Sequence, residues 1–343
     1  MKVQSKAPLR IGLAGGGTDV SPYSDIYGGS ILNATIDMYA YATIIPRENG
    51  KIVFKLEDKG EQLEYDSMKE LPISEKDTDI LLKAIYNRVV KDFVKEPLSF
   101  ELITYVDAPP GSGLGTSSTL VVAILGAFLE WLYLPLGEYD LAHLAYQIER
   151  EDLNMAGGKQ DQYAATFGGF NFMEFFENDK VIINPLRVKP KVLNELARSI
   201  VLYNTETSRV SAKIIEAQQE NVKAKKTQSI EAMHKLKEQS LMMKEALLKE
   251  NLDDIGRILH WGWEYKKQMA GGISTPLFED IYDVALNAGA SGGKISGAGG
   301  GGFIFFYCPE TTRYPVVNAI NKFGGSTKRY EFTEKGLQTW TIR

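Results

Sequence analysis

The sequence predicts an α+β fold in two domains, and three observations predict it. First, 343 residues are enough for about two domains of ordinary size. Second, short runs rich in β-branched and aromatic residues crowd the first third of the chain, with helical apolar spacing between and after them. Third, from about residue 186 the texture changes to long charged amphipathic stretches, which sets a boundary near 185 and gives domains 1–185 and 186–343. Hydrophobic residues make up 44% and charged residues 24%, so a sizeable core is available and global disorder is excluded.

The elements follow in order. "LRIGLA" (9–14), "YAYATIIP" (39–46), "KIVFKLE" (51–57) and "LSFELITYV" (98–106) read as strands, with an amphipathic helix over 77–94 before the last. Helices are expected over 117–134 and 138–153. The glycine-punctuated "NMAGGKQDQYAATFGGF" (154–170) should hold a short helix in its middle. "SIVLYNTE" (199–206) is a strand, 209–250 one or two long charged helices, and 274–290 a helix. A glycine-rich turn leads into a strand within 292–308. A helix over 316–323 and a strand over 336–343 close the chain.

Charge and composition exclude several classes. The net charge of −5 argues against nucleic acid or an anionic membrane as partner. A single cysteine, Cys308, excludes an internal disulfide and a cysteine-ligated zinc, and three histidines at unsuitable spacings suit no metal motif. Residues 119–136 are nearly long enough to span a bilayer. They contain Glu130, lack basic flanks and sit in a chain of mean hydropathy −0.19, so a buried helix is expected and no membrane. "MKVQSKAPLRIGL" has no apolar h-region, and the expected location is cytoplasmic.

Chemistry concentrates in glycine loops. In "PPGSGLGTSS" the prolines stiffen the entry, while Gly111, Gly113 and Gly115 let bare backbone approach a ligand closely. N–H groups on the concave side of such a turn, set before a helix N-terminus, make an anion site suited to phosphates. Ser117 and Ser118 stand at the helix start, where a hydroxyl can cap the helix or ligate magnesium. The plainer alternative is a tight turn with a serine N-cap. The Walker A pattern is absent, because Lys159 and Lys294 each follow Gly-Gly but precede Gln160 and Ile295. A G-x-G-x-x-G string at Gly297, Gly299 and Gly302 leads into a strand, "FIFFYC", where a dinucleotide fold needs a helix.

Three segments in order, "APLRIGLAGGGTD", "PPGSGLGTSS" and "KISGAGGGGFIFF", resemble the motifs of the GHMP kinases (galacto-, homoserine, mevalonate and phosphomevalonate kinases). The resemblance spans nearly the whole chain. Within that superfamily, "LRIGLAGGGTDVSPYSDIYGGSILNATIDMYAYATI" and "GGKQDQYAATFGGFN" are most similar to the heptose 7-phosphate kinases, with L-fucokinases as near relatives. It implies a ribosomal-protein-S5-like N-terminal domain and a ferredoxin-like C-terminal domain. ATP and Mg²⁺ would be used to phosphorylate the anomeric hydroxyl of a sugar phosphate. The family also includes folds that sense sugars without turnover, and the joint presence of Arg10, Ser117, Glu149 and Asp161 argues against that reading.

The resemblance also implies roles. ATP phosphates would rest on Pro110, Gly111, Ser112, Gly113, Leu114, Gly115, Thr116, Ser117 and Ser118, with the glycines at 296–302 packed beside that loop. Asp161 would be the catalytic base or the group that orients the sugar hydroxyl, and Arg10 the cation near the transferred phosphate. Glu149 and Ser117 would share magnesium, with Glu151 as the alternative carboxylate. Asp19 matches a sugar-contacting aspartate, and with Gly16, Gly17 and Thr18 would form the sugar site. Gly16 and Gly17 replace the Glu-His of galactokinases, which speaks against galactose and makes room for a longer sugar. A phosphate already on the sugar needs a basic clamp, for which Lys159 and Arg209 are the candidates; Arg209 could equally be a helix surface charge.

Overall fold

The computed structural model of the chain describes residues 1–207 and 211–343. Twelve strands are present among them: β1 Lys2–Ala14, β2 Gly29–Pro46, β3 Lys51–Leu56, β4 Glu61–Asp66, β5 Phe100–Val106, β6 Phe170–Phe175, β7 Val181–Pro185, β8 Ile200–Asn204, β9 Gly292–Ile295, β10 Phe303–Tyr307, β11 Ser326–Lys328 and β12 Gln338–Ile342. Eight form one sheet, ordered β12-β1-β2-β5-β3-β4, with β6 and β7 branching from β2; the other four form a sheet ordered β11-β8-β10-β9. All pairings are antiparallel except β3 with β5.

The 18-residue strand β2 is the spine of the large sheet. Its first half pairs with β6 and its second half with β5, while β1 runs along the other edge. The β1–β2 register shifts between Pro8 and Arg10 and again between Gly12 and Ala14. Such an irregularity bends the strand and re-aims the side chains beside it.

One face of this sheet is covered by the helices Ile80–Val89 and Thr116–Leu132, which bury Ile52, Phe54, Phe100, Leu102, Val121 and Phe128. The apolar run at 119–136 is therefore mostly core, and among the described residues no helix is long and apolar enough to cross a membrane. A second apolar cluster joins the two sheets: Leu9, Ile11 and Leu32 from the large one meet Leu202, Phe303 and Phe305 from the small one. Helices Thr227–Leu248 and Leu252–Lys266 seal it with Met243, Leu247, Ile258 and Leu259.

Two expectations need correcting. The range 186–343 does not stay with the small sheet: Thr333 N bonds to Thr35 O at 3.0 Å, and β12 pairs with β1 from Lys2↔Ile342 to Lys6↔Gln338. A free edge on β1 would leave a row of backbone groups unpaired, and β12 covers it. The helix expected over 138–153 is α-helical only from Glu138 to Gln147 and widens into a π turn over Ile148–Asp152, with Leu153 N bonded to Ile148 O at 3.2 Å. The sequence reading also passed over β6, β7 and the helices Pro190–Ser199 and Leu252–Lys266.

Candidate active site

The glycine loop is held from behind. Gly111, Gly113 and Gly115 all have positive φ (76°, 78° and 83°), a backbone only glycine adopts freely. Ser112 O accepts from Phe303 N at 2.9 Å, Gly113 O from Ser296 Oγ at 2.8 Å, and Leu114 O from Arg10 N at 3.1 Å. With its carbonyls turned into protein, the loop offers its N–H edge to the cavity in front. The first N–H groups of Thr116–Leu132 add to that edge, being unpaired within the helix. A Cβ on Gly113 would lie 2.4 Å from Ser296 O, and one on Gly297 2.9 Å from Gly113 Cα. The third glycine segment therefore packs directly on this loop, backbone against backbone. Leu114 and Ser112 are buried, Ser112 Oγ holding Leu114 N at 3.3 Å, and Pro110 is exposed at the entry.

A cavity of about 360 Å³ opens before the loop, lined by Gly111, Gly113, Gly115, Thr116, Ser117, Ser118, Arg10, Gly17, Asp19, Glu149, Arg150, Asp161, Gln218 and Lys266 among others. Arg10, beside the shifted register of β1, crosses it. Its Nε and Nη2 both reach Asp161 Oδ1 at 2.7 Å, and Nη1 donates to Gly113 O at 2.5 Å. Asp161 comes from the first turn of the helix Gln160–Phe167, and its Oδ2 lies 3.3 Å from where a Gly115 Cβ would be. One carboxylate oxygen is thus pinned by arginine and the other faces the loop.

Glu149 sits in the π turn, fully buried. Its Oε1 accepts from Ser117 Oγ at 3.1 Å and its Oε2 from Gln162 Nε2 at 2.5 Å. Glu151 is exposed, so of the two carboxylates only Glu149 belongs to the cavity. A π turn inserted in an α-helix is a recurrent device for re-aiming a functional side chain.

The turn after β1 is built around Thr18, whose hydroxyl donates to Gly15 O and Ser30 O, each at 2.9 Å; that side chain is buried and occupied. Asp19 is buried beneath the cavity floor, with Oδ2 accepting from Gln160 N at 3.1 Å and Oδ1 without a partner among the described residues. Burial raises its pKa, and the nearby Asp161 charge adds to the rise. A Cβ on Gly158 would fall 1.9 Å from Asp19 Oδ2, so that glycine is needed for the fit.

The basic candidates fare differently. Lys159 lies off the main cavity, in ion pairs with Asp179 at 2.7 Å and Asp25 at 3.3 Å and 5.6 Å from the Tyr146 ring centre. Two carboxylates already take its charge, so it is a poor phosphate clamp. Arg209 lies outside the described residues. The sequence reading missed Lys266, which donates to Gly16 O at 2.9 Å, and Lys294, whose Nζ is 3.5 Å from where a Gly16 Cβ would be. Burial pulls their pKa values down to about 8 and about 7. The only signal for Lys294 was its place in the third glycine segment. Lys266 lay in the unrecognised helix.

Two family profiles match, "GHMP kinases N terminal domain" over residues 81–169 and "GHMP kinases C terminal" over 243–326. A Campylobacter jejuni protein, named D-glycero-alpha-D-manno-heptose 7-phosphate kinase, is 50% identical over 340 residues, 99% of both chains. The chain belongs to the GHMP kinases. A crystal structure described as a D-glycero-D-manno-heptose 1-phosphate kinase from Bacteroides thetaiotaomicron superposes with a TM-score of 0.84 at 49% identity, over 99% of both chains. The Methanococcus jannaschii mevalonate kinase shares the fold, with a TM-score of 0.77 at 20% identity over 97% of this chain and 98% of that one. As a GHMP kinase the chain is an ATP-dependent phosphotransferase with the family's two-domain α+β fold.

Proposed function

We propose that this GHMP kinase transfers the γ-phosphoryl group of ATP to the anomeric hydroxyl of a sugar phosphate, D-glycero-D-manno-heptose 7-phosphate. One observation carries the reading: Asp161 is pinned by Arg10 on one oxygen and faces the glycine loop with the other. The heptose is supported by the half-identical C. jejuni relative and by Gly16 and Gly17, which leave the floor beside Asp19 without side chains.

In this reading the loop N–H groups at 111–118 hold the triphosphate. The sugar hydroxyl donates its proton toward Asp161 Oδ2, and its oxygen attacks the γ-phosphorus while the bond to the β,γ-bridging oxygen breaks, leaving ADP. The Arg10 guanidinium fixes the carboxylate and offsets charge that builds on the transferred group. The buried Asp19 carboxyl, with one unpartnered oxygen, receives a sugar hydroxyl.

Hard oxygen donors suit magnesium, and the Ser117 hydroxyl and Glu149 carboxylate stand 3.1 Å apart beside the loop. Among the described residues no cluster of three acidic, histidine or cysteine ligands exists, so phosphates and water would complete the shell. The ion would neutralise phosphate charge. Gln162 keeps Glu149 oriented for it, and Arg150, 3.7 Å from the same carboxylate, closes the far side.

ADP release with heptose 7-phosphate, mannose 6-phosphate, fucose, galactose and mevalonate tests the proposal. The expected result is the highest kcat/KM for heptose 7-phosphate. Faster turnover of fucose would move the chain to the fucokinases, and ATP binding with no turnover would make it a sugar sensor.

A further inference from the structure

Beside Gly16 and Gly17, three elements bring together more hydrogen-bond donors than acceptors. Lys266 ends the helix Leu252–Lys266, Lys294 comes from β9, and Gln218 from the helix Ser211–Lys223. All three are more than nine-tenths buried. Lys266 Nζ has one partner, the Gly16 carbonyl; Gln218 Nε2 has none among the described residues, and no described carboxylate or carbonyl accepts from Lys294 Nζ. The point where a Gly17 Cβ would stand is 3.2 Å from Lys266 Nζ and 3.4 Å from the Gln218 amide oxygen, whose rotation by a half turn would present the nitrogen. Gly17 has φ of 103° and no room for a side chain.

Buried donors without acceptors are costly, and buried like charges more so. The carboxylates nearby are Asp19 and Asp161, and Arg10 already holds the second. Two lysines and one arginine thus gather beside two acidic groups at the wall of the cavity. A phosphate group, all acceptor and doubly charged, is the chemistry that fits such a place.

We propose that Lys266, backed by Lys294 and Gln218, receives the phosphate that the sugar substrate already carries, and so makes the enzyme select phosphorylated over plain sugars. The assignment rests on the kinase reading above and replaces Lys159 as clamp. Burial lowers the pKa of Lys266 to about 8 and of Lys294 to about 7, so the neutral amine gains weight in the empty site, and an incoming phosphate would raise both again and hold them as ammonium groups. Lys266 and Gln218 line the cavity in front of the glycine loop, and that cavity gives the phosphate its place.

Lys266→Met and Lys294→Met keep the stems and remove the charges. With heptose 7-phosphate, kcat/KM should fall ~10- to 100-fold for Lys266→Met and less for Lys294→Met, while plain heptose loses much less and KM for ATP stays within about twofold. Equal losses on both sugars would overturn the clamp. A second readout does not need turnover: inorganic phosphate titrated by calorimetry into protein saturated with a non-hydrolysable ATP analogue, so that the glycine loop is filled. Wild type should bind, and Lys266→Met and Gln218→Leu should bind more weakly; undiminished binding in both would remove the site. If wild type ignores heptose 7-phosphate yet the titration still separates the variants, the substrate is wrong and the anion site stands.

Discussion

Asp161 and Arg10 are 151 positions apart in sequence and meet at 2.7 Å through two nitrogens of one guanidinium. Asp161→Asn should lower kcat by roughly 10²–10⁴-fold with ATP affinity spared, which steady-state kinetics and nucleotide titration separate. Glu149→Gln should raise the magnesium concentration for half-maximal rate with the sugar KM little changed; an unaltered magnesium dependence would remove it as a ligand. Lys294 carries a stability prediction with a definite sign. Its pKa falls from 10.5 to about 7 by burial, with Lys266 and Arg10 adding repulsion. The unfolded chain therefore holds a proton the folded one lacks between those values, so the burden is full below about pH 7 and is relieved as pH rises. Lys294→Met should raise Tm at pH 6 and do so less at pH 9. These residues were unevenly legible. Arg10, Asp19, Glu149 and Asp161 stood in recognisable strings, whereas Lys266 and Lys294 become special only through burial, which no local string encodes.

Among the elements, the glycine segments act as one unit because bare backbones touch. Gly113→Ala combines a φ of 78° with a Cβ 2.4 Å from a carbonyl oxygen. It should raise KM for ATP at least ~10-fold and lower Tm, since positive φ and a backbone clash both disfavour it. A normal KM would show that the loop can yield without loss. Two passed-over elements were readable by local rules. The β6–β7 hairpin turns through Asn178 and Asp179, both at positive φ (55° and 53°), the pair of conformations a tight hairpin turn requires. The helix Leu252–Lys266 has Asp253 and Asp254 in its first turn and buries Ile255, Ile258, Leu259 and Trp263 along one side. The π turn at Glu149 was not readable: "QIEREDL" carries a plain helical pattern, and tertiary contacts of the carboxylate with Ser117 and Gln162 accompany the widening.

At the scale of the whole molecule, both halves of the chain line the cavity because the apolar cluster between the sheets locks them together. The return of the C-terminus to β1 was invisible to sequence periodicity, since a strand's pattern does not name its partner. Leu337 packs on Gly126, where a Cβ would be 2.6 Å from its Cδ1, and Thr339 and Thr341 each donate to Glu130 at 2.9 and 3.0 Å. Removing residues 336–343 should bare the β1 edge and the helix beneath it, lowering Tm and promoting association that gel filtration detects. A monodisperse, equally stable truncation would make the strap dispensable.

Phosphorus NMR of the product from ATP and heptose 7-phosphate tests whether the phosphoryl group goes to the anomeric hydroxyl of a sugar that is already phosphorylated. The product should show two sugar phosphate signals, the original one unchanged and a new one coupled to the anomeric proton. A new signal coupled to any other sugar proton, or ATP turnover without a bisphosphate, would contradict that transfer.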